Sequence, residues 1–156
     1  MFAGAVIGYG RRSYAACVSV GGSNFECSGA STAQSISAAN ASVSTLAGFS
    51  VTTGSSNALT ITGSGDLFYT DTNFSSLTAT AGNGLNVSTN AVAPGSITIN
   101  TNGAITARNY GIRGRNIGTG ALSITANGDI TSTGTGTASL SRGIVSINFP
   151  LPAVGI

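Results

Sequence analysis

The sequence predicts an all-β chain that coils on itself and stacks as a parallel β-helix (β-solenoid). Three observations carry this. A ten-residue phrase occurs three times, half of the 156 residues are Ser, Thr, Gly or Asn, and the helix formers Lys, Glu and Met are nearly absent. The phrase runs Ala58-Leu59-Thr60-Ile61-Thr62-Gly63-Ser64-Gly65-Asp66-Leu67 and returns as Ser96-Ile97-Thr98-Ile99-Asn100-Thr101-Asn102-Gly103-Ala104-Ile105. Its third copy is Ala121-Leu122-Ser123-Ile124-Thr125-Ala126-Asn127-Gly128-Asp129-Ile130. A repeated short strand with a repeated glycine corner is the mark of a chain whose coils stack on one another.

Composition bounds the class. The length fits one domain. Charged residues are 6% of the chain, net charge is +2, and 41% of residues are hydrophobic. Disorder usually pairs low hydrophobicity with high net charge, so this balance favours a packed core. Gly and β-branched residues oppose helix, while Thr, Val and Ile alternating with small polar residues favour strand. Lys and His are absent, and the cations are Arg11, Arg12, Arg108, Arg113, Arg115 and Arg142. Nucleic-acid binders carry dense Lys and Arg clusters, so no nucleic-acid partner is expected. Arg108, Arg113 and Arg115 read as solvated side chains near a coil corner, with a weak polyanion or glycan contact as the minority reading.

Along the chain, residues 1–16 come first. Met1–Gly10 is apolar but too short to span a bilayer, and it lacks the positive region that precedes a signal peptide's core. Ser13-Tyr14-Ala15-Ala16 offers small residues at signal-peptidase spacing, so the segment is read as a truncated signal-peptide remnant, against an ordinary first strand. Cys17 and Cys27 are the only cysteines. An even count in a chain that looks exported points to a disulfide, worth about 2–3 kcal/mol by loop entropy. Two free buried thiols are the alternative. Without His, two thiolates do not complete a metal site, and neither metal nor cofactor is expected.

The repeats occupy residues 17–149. Leu59 and Ile61, Ile97 and Ile99, and Leu122 and Ile124 each sit two apart, which places each pair on one strand face and makes them the expected core. Gly65, Gly103 and Gly128 follow as the expected corners, where Asn and Gly tolerate left-handed backbone. A second strand starts at Leu67, Ile105 and Ile130. A third element follows at variable distance, in Gly111-Ile112 to Asn116 and Gly143-Ile144 to Asn148, with Gly84-Leu85-Asn86-Val87 as a looser copy. Asn-Gly between apolar runs is also a hairpin signal, which gives the competing fold, an antiparallel sandwich or meander. Stacking explains why Asn-Gly recurs at one phase of the phrase, and why charge is scarce where like residues repeat about every 4.8 Å. A solenoid's open ends need caps, and the Cys17–Cys27 segment is expected to cap the first coil. Phe149-Pro150-Leu151-Pro152 breaks the pattern, and 150–156 reads as an irregular tail.

These features resemble the passenger regions of bacterial autotransporters, the type V secretion proteins, in the Ser/Thr/Gly-rich form common in alphaproteobacteria. The matching stretches are Cys27-Ser28-Gly29, Gly48-Phe49-Ser50-Val51, Asn57 to Gly63, Tyr69-Thr70-Asp71-Thr72, Pro94 to Ile99, Tyr110-Gly111-Ile112 and Gly118 to Thr125. They cover roughly Cys17 to Asn148. The resemblance implies a right-handed parallel β-helix, export through the periplasm, and display or release at the cell surface as an adhesin or stalk. Its partners would be host or neighbouring-cell surface glycans or proteins. The family's C-terminal translocator barrel is missing from this chain, so a fragment of a longer array or a frameshift product is expected. Marginal stability without neighbouring coils follows.

Catalysis finds little support in the residues. The acids are Glu26, Asp66, Asp71 and Asp129. Polysaccharide lyases and hydrolases need paired carboxylates, a base, or carboxylates around calcium. Asp66 and Asp129 share a repeat position, but the copy between them has Ala104, so they read as corner residues bonding nearby backbone N–H groups. Asp71 also reads as a turn residue. Serine has no evident base, and neither Gly63-Ser64-Gly65 nor Gly118-Thr119-Gly120 is a phosphate loop. Phe68, Tyr69 and Phe74 read as packed under a loop, with an exposed sugar-stacking patch as the alternative. The expected function is therefore a non-catalytic exported passenger. The alternatives are a carbohydrate-binding or carbohydrate-active β-helix module, and a gene fragment with no independent role.

Overall fold

The computed structural model describes residues 16–90, 94–134 and 142–148. The expected tail at 150–156, and all but the last residue of the expected leader remnant, lie outside the described residues. The described strands are β1 (Ala16–Gly21), β2 (Asn24–Ser28), β3 (Ala30–Ser31), β4 (Gln34–Ser37), β5 (Ser42–Thr45), β6 (Ser50–Thr53), β7 (Leu59–Gly63) and β8 (Leu67–Asp71). They continue with β9 (Ser76–Ala79), β10 (Leu85–Thr89), β11 (Ile97–Thr101), β12 (Ala104–Ala107), β13 (Tyr110–Asn116), β14 (Leu122–Ala126), β15 (Ile130–Ser132) and β16 (Arg142–Asn148).

Three sheets form, and every third strand belongs to the same one. The first runs β1-β2-β5-β8-β11-β14, the second β3-β6-β9-β12-β15, and the third β4-β7-β10-β13-β16. Four turns thus carry the chain from β2 through β5, β8 and β11 to β14. All the stacked strands pair in parallel, and only β1 and β2 pair antiparallel among the described residues. The fold is a parallel β-solenoid. Asn-Gly does not close hairpins here, because Asn102-Gly103 and Asn127-Gly128 fall between sheets, at the corner from the first to the second.

The period-two pattern sets the core. Leu59, Ile61, Ile97 and Ile99 are fully buried, together with Leu67, Tyr69, Leu77, Leu85, Val87, Ile105 and Ile112. Leu122 and Ile124, on the last strand of the first sheet, are half-buried and pack against this cluster. Hydroxyls and amides between the core positions point outward, as alternation requires.

The first strand closes one end. Cys17 stands directly opposite Cys27 across β1 and β2, and the two are joined as a disulfide. The Cys17 N–H also donates to Gln34 Oε1 at 3.1 Å, which ties this hairpin to β4 of the third sheet. β1 therefore occupies the edge of β2 that parallel stacking leaves free.

The three phrases do not share one phase of the coil. The second and third stack directly, with Ile97 on Leu122, Ile99 on Ile124 and Ile105 on Ile130. The first lies one side away. Leu59 and Ile61 belong to the third sheet and stack on Leu85 and Val87. The phrase is thus a general strand–corner–strand unit, because every side of the coil makes the same demands. The third element occupies a single sheet: Leu85 stacks on Ile112, Ile112 on Ile144 and Asn116 on Asn148.

Candidate functional site

Asp71 is the most chemically distinctive group inside the solenoid. Leu67, Tyr69 and Asp71 alternate along β8, so all three face the core, and Asp71 is only 1% exposed. It serves the turn that follows β8, as a turn residue would, but from inside the core. Its Oδ1 accepts the Thr45 hydroxyl at 2.7 Å and the Asn73 N–H at 3.0 Å. The Ser75 N–H reaches both carboxylate oxygens at 3.3 Å, and the Thr101 hydroxyl donates to Oδ2 at 3.3 Å. Thr45, Asp71 and Thr101 sit at matching positions on β5, β8 and β11, so one carboxylate ties three consecutive coils. Burial works to raise its pKa, but the bonds from Thr45, Ser75 and Asn73 outweigh it and hold the carboxyl below its ordinary range. Beside it, the Tyr69 hydroxyl lies 3.4 Å from Ser75 Oγ, and burial pushes its pKa well up. An ionised, enclosed and fully donated-to carboxylate has no free lone pair aimed at a substrate, so its chemistry is that of a clamp.

Asn116 does the same work on the third sheet. Its Nδ2 donates to the Gly95 and Gly120 carbonyls at 3.0 and 2.9 Å, and its Oδ1 accepts the Thr89 hydroxyl at 3.0 Å and the Gly118 N–H at 2.9 Å. Asn57, Asn83 and Asn109 form a further column at the corner between the second and third sheets. Asn57 Oδ1 accepts the Asn83 N–H, and Asn83 Oδ1 accepts the Tyr110 N–H. Sequence reasoning missed this column, although the 26-residue spacing of the three asparagines was there to be read.

The expected corner glycines divide by cause. Gly65 adopts φ +72 and turns the chain from the third sheet to the first. Gly103 and Gly128, at the next corner, are not left-handed. A Cβ on Gly128 would strike the Gly103 carbonyl oxygen, and one on Gly103 would strike that of Ser75. Close stacking of backbone, not handedness, requires glycine there. Asp66 and Asp129 consequently lie at different corners, not at one repeat position. Asp66 Oδ1 accepts both the N–H and the hydroxyl of Ser96 at 2.8 Å, and these bonds lower its pKa.

The aromatics expected to pack together do not. Tyr69 is in the core, Phe68 points out of the first sheet at 40% exposure, and Phe74 stands at the corner after β8 at 76%. Neighbours on a strand face opposite ways, which separates Phe68 from Tyr69. Phe74 takes φ +55, a left-handed conformation that costs a non-glycine residue about 1–2 kcal/mol. The outer faces carry rows of hydroxyls, the clearest being Thr52, Thr78, Thr106 and Thr131 in direct register on the second sheet. Arg113 and Arg115 alternate on the outer face of β13 and not at a corner, with Arg113 Nη1 donating to Asn86 Oδ1 at 2.9 Å.

No protein-family model, curated protein or solved structure matches the chain.

Proposed function

We propose that this chain is a non-catalytic passenger segment, exported from a bacterial cell and serving a structural or adhesive role at or beyond its surface. The observation that carries the reading is the division of chemistry between inside and outside. The buried carboxylate is engaged in holding coils together, while the outer faces offer in-register hydroxyls and amides. Such a surface suits many weak contacts along a rigid rod. The Cys17–Cys27 disulfide favours an oxidising compartment, as export would provide. The resemblance to autotransporter passengers adds the route. A carbohydrate-active reading needs a carboxylate pair, and Asp66 and Asp129 stand at different corners with Asp71 enclosed between coils.

The test is incubation of the disulfide-intact protein with neutral and acidic polysaccharides, followed by assay of new reducing ends and unsaturated products. Binding without product release is the expected result. Product release that disappears in Asp66→Ala or Asp129→Ala contradicts the reading.

A further inference from the structure

We propose that the corner between β8 and β9 is a binding site for a neutral saccharide, with Phe74 as the platform on which a sugar ring stacks. This rests on the adhesive reading above and assigns it a place. The equivalent corner one coil earlier has the same length. Leu46 to Phe49 there match Thr72 to Ser75 here, since Ser44 pairs with Thr70 and Ser50 with Ser76. At the position of Phe74 that corner has Gly48, at φ +80. Glycine is therefore what the backbone asks for, and this coil instead sets a large aromatic ring there, turned to solvent. Neither the turn nor the core gains from it, and such an outlier points to function.

The surroundings fit a sugar. By register the corners of the next two coils are two residues shorter, with Asn102-Gly103 between Thr101 and Ala104 and Asn127-Gly128 between Ala126 and Asp129. Phe74 consequently stands at a step, on the same corner of the solenoid as Asn102 and Asn127 of the next two coils, whose side chains are joined by an Nδ2–Oδ1 bond of 2.9 Å. An aromatic face accepts the C–H face of a pyranose, and amides bond its hydroxyls. The Asp71 charge is turned inward, so an uncharged ligand is favoured. The same corner carries the exposed Leu46 on the preceding coil and the Asn102 and Asn127 amides on the following two, so Phe74 has an apolar neighbour on one side and amides on the other. The turn is also held in advance. The Asn73 and Ser75 N–H groups on either side of Phe74 are fixed on Asp71, and Asn73 Nδ2 donates to the Thr45 carbonyl at 2.6 Å. Little ordering cost remains on binding.

Calorimetric titration of the full disulfide-intact chain with laminarin, dextran and galactomannan tests this, with polygalacturonate as the acidic control. At least one neutral polymer is expected to bind, and Phe74→Gly to weaken that binding by about tenfold or more without lowering the melting temperature, because glycine suits φ +55. Phe74→Tyr should bind as wild type does. Three outcomes overturn the proposal: no neutral polymer binding, equal binding by Phe74→Gly, or a lower melting temperature in Phe74→Gly that marks the ring as structural. A change confined to the sedimentation coefficient of Phe74→Gly also overturns it, in favour of contact between copies. Equal binding by Phe74→Gly leaves the adhesive reading standing, while product release sinks that reading whatever Phe74 does.

Discussion

Asp71→Ala is expected to destabilise the solenoid by about 3–5 kcal/mol, because it orphans two backbone N–H groups and two hydroxyls in an enclosed site. Those donors belong to Asn73, Ser75, Thr45 and Thr101, on three coils, so the loss should appear as one cooperative shift of the urea midpoint. Asp71→Asn keeps the shape but turns one acceptor into a donor facing other donors, and an intermediate loss of about 1–3 kcal/mol follows. The same group sets the acid sensitivity. Its folded-state pKa lies below the unfolded value, so its stabilisation is complete above about pH 4 and is lost as pH falls through that range toward the folded value. Wild type should therefore weaken as pH falls below about 4 much more than Asp71→Asn does, with little difference between them above about pH 5. Equal acid sensitivity of the two proteins, or an unchanged urea midpoint in Asp71→Ala, would show that the clamp carries no load.

Gly103→Ala is the second large expected effect, at about 3 kcal/mol, the upper part of the range for forcing atoms into packed space. The new Cβ runs into the Ser75 carbonyl oxygen and lies 2.5 Å from Asp71 Oδ2, so backbone on the preceding coil must move. Gly48 is the contrast. A Cβ there meets nothing within 4 Å, but φ is +80, so Gly48→Ala should cost only about 1–2 kcal/mol. Asparagine separates the two causes. It tolerates left-handed backbone, so Gly48→Asn should recover much of the loss, whereas Gly103→Asn should be no better than Gly103→Ala. Chemical denaturation of the four variants checks this, and recovery in Gly103→Asn would mean that handedness governs that corner after all.

The solenoid was legible because its driving pattern is local. Leu-x-Ile pairs followed at fixed distance by glycine report a strand and a corner without any knowledge of neighbours. The phase of the coil was not legible. Each side of the coil obeys the same rule, so the first phrase looks identical to the others although Leu59 stacks on Leu85 and not on Ile97. The 26-residue step from Asn57 to Asn83 to Asn109 and the Thr52–Thr78–Thr106–Thr131 column hide in a background rich in the same residue types. Asp71 was readable in principle, since Leu67-x-Tyr69-x-Asp71 is strict alternation and places the acid inward. Its polar type suggested a turn, whose N–H groups it does accept, but its burial also depends on the hydroxyls of two neighbouring coils. The exposure of Phe74 was legible only as the alternative to packing under a loop. Exposure of a large aromatic on left-handed backbone runs against residue propensity, which is why the local pattern favoured packing.

Parallel stacking in this register is the claim on which the rest depends, and inter-strand nuclear Overhauser effects test it most directly. The account predicts backbone contacts from Thr52 to Thr78, from Thr78 to Thr106 and from Thr106 to Thr131, with β6 never paired to β7. Contacts linking β6 to β7 and β7 to β8 in antiparallel register, as in a meander, would contradict it.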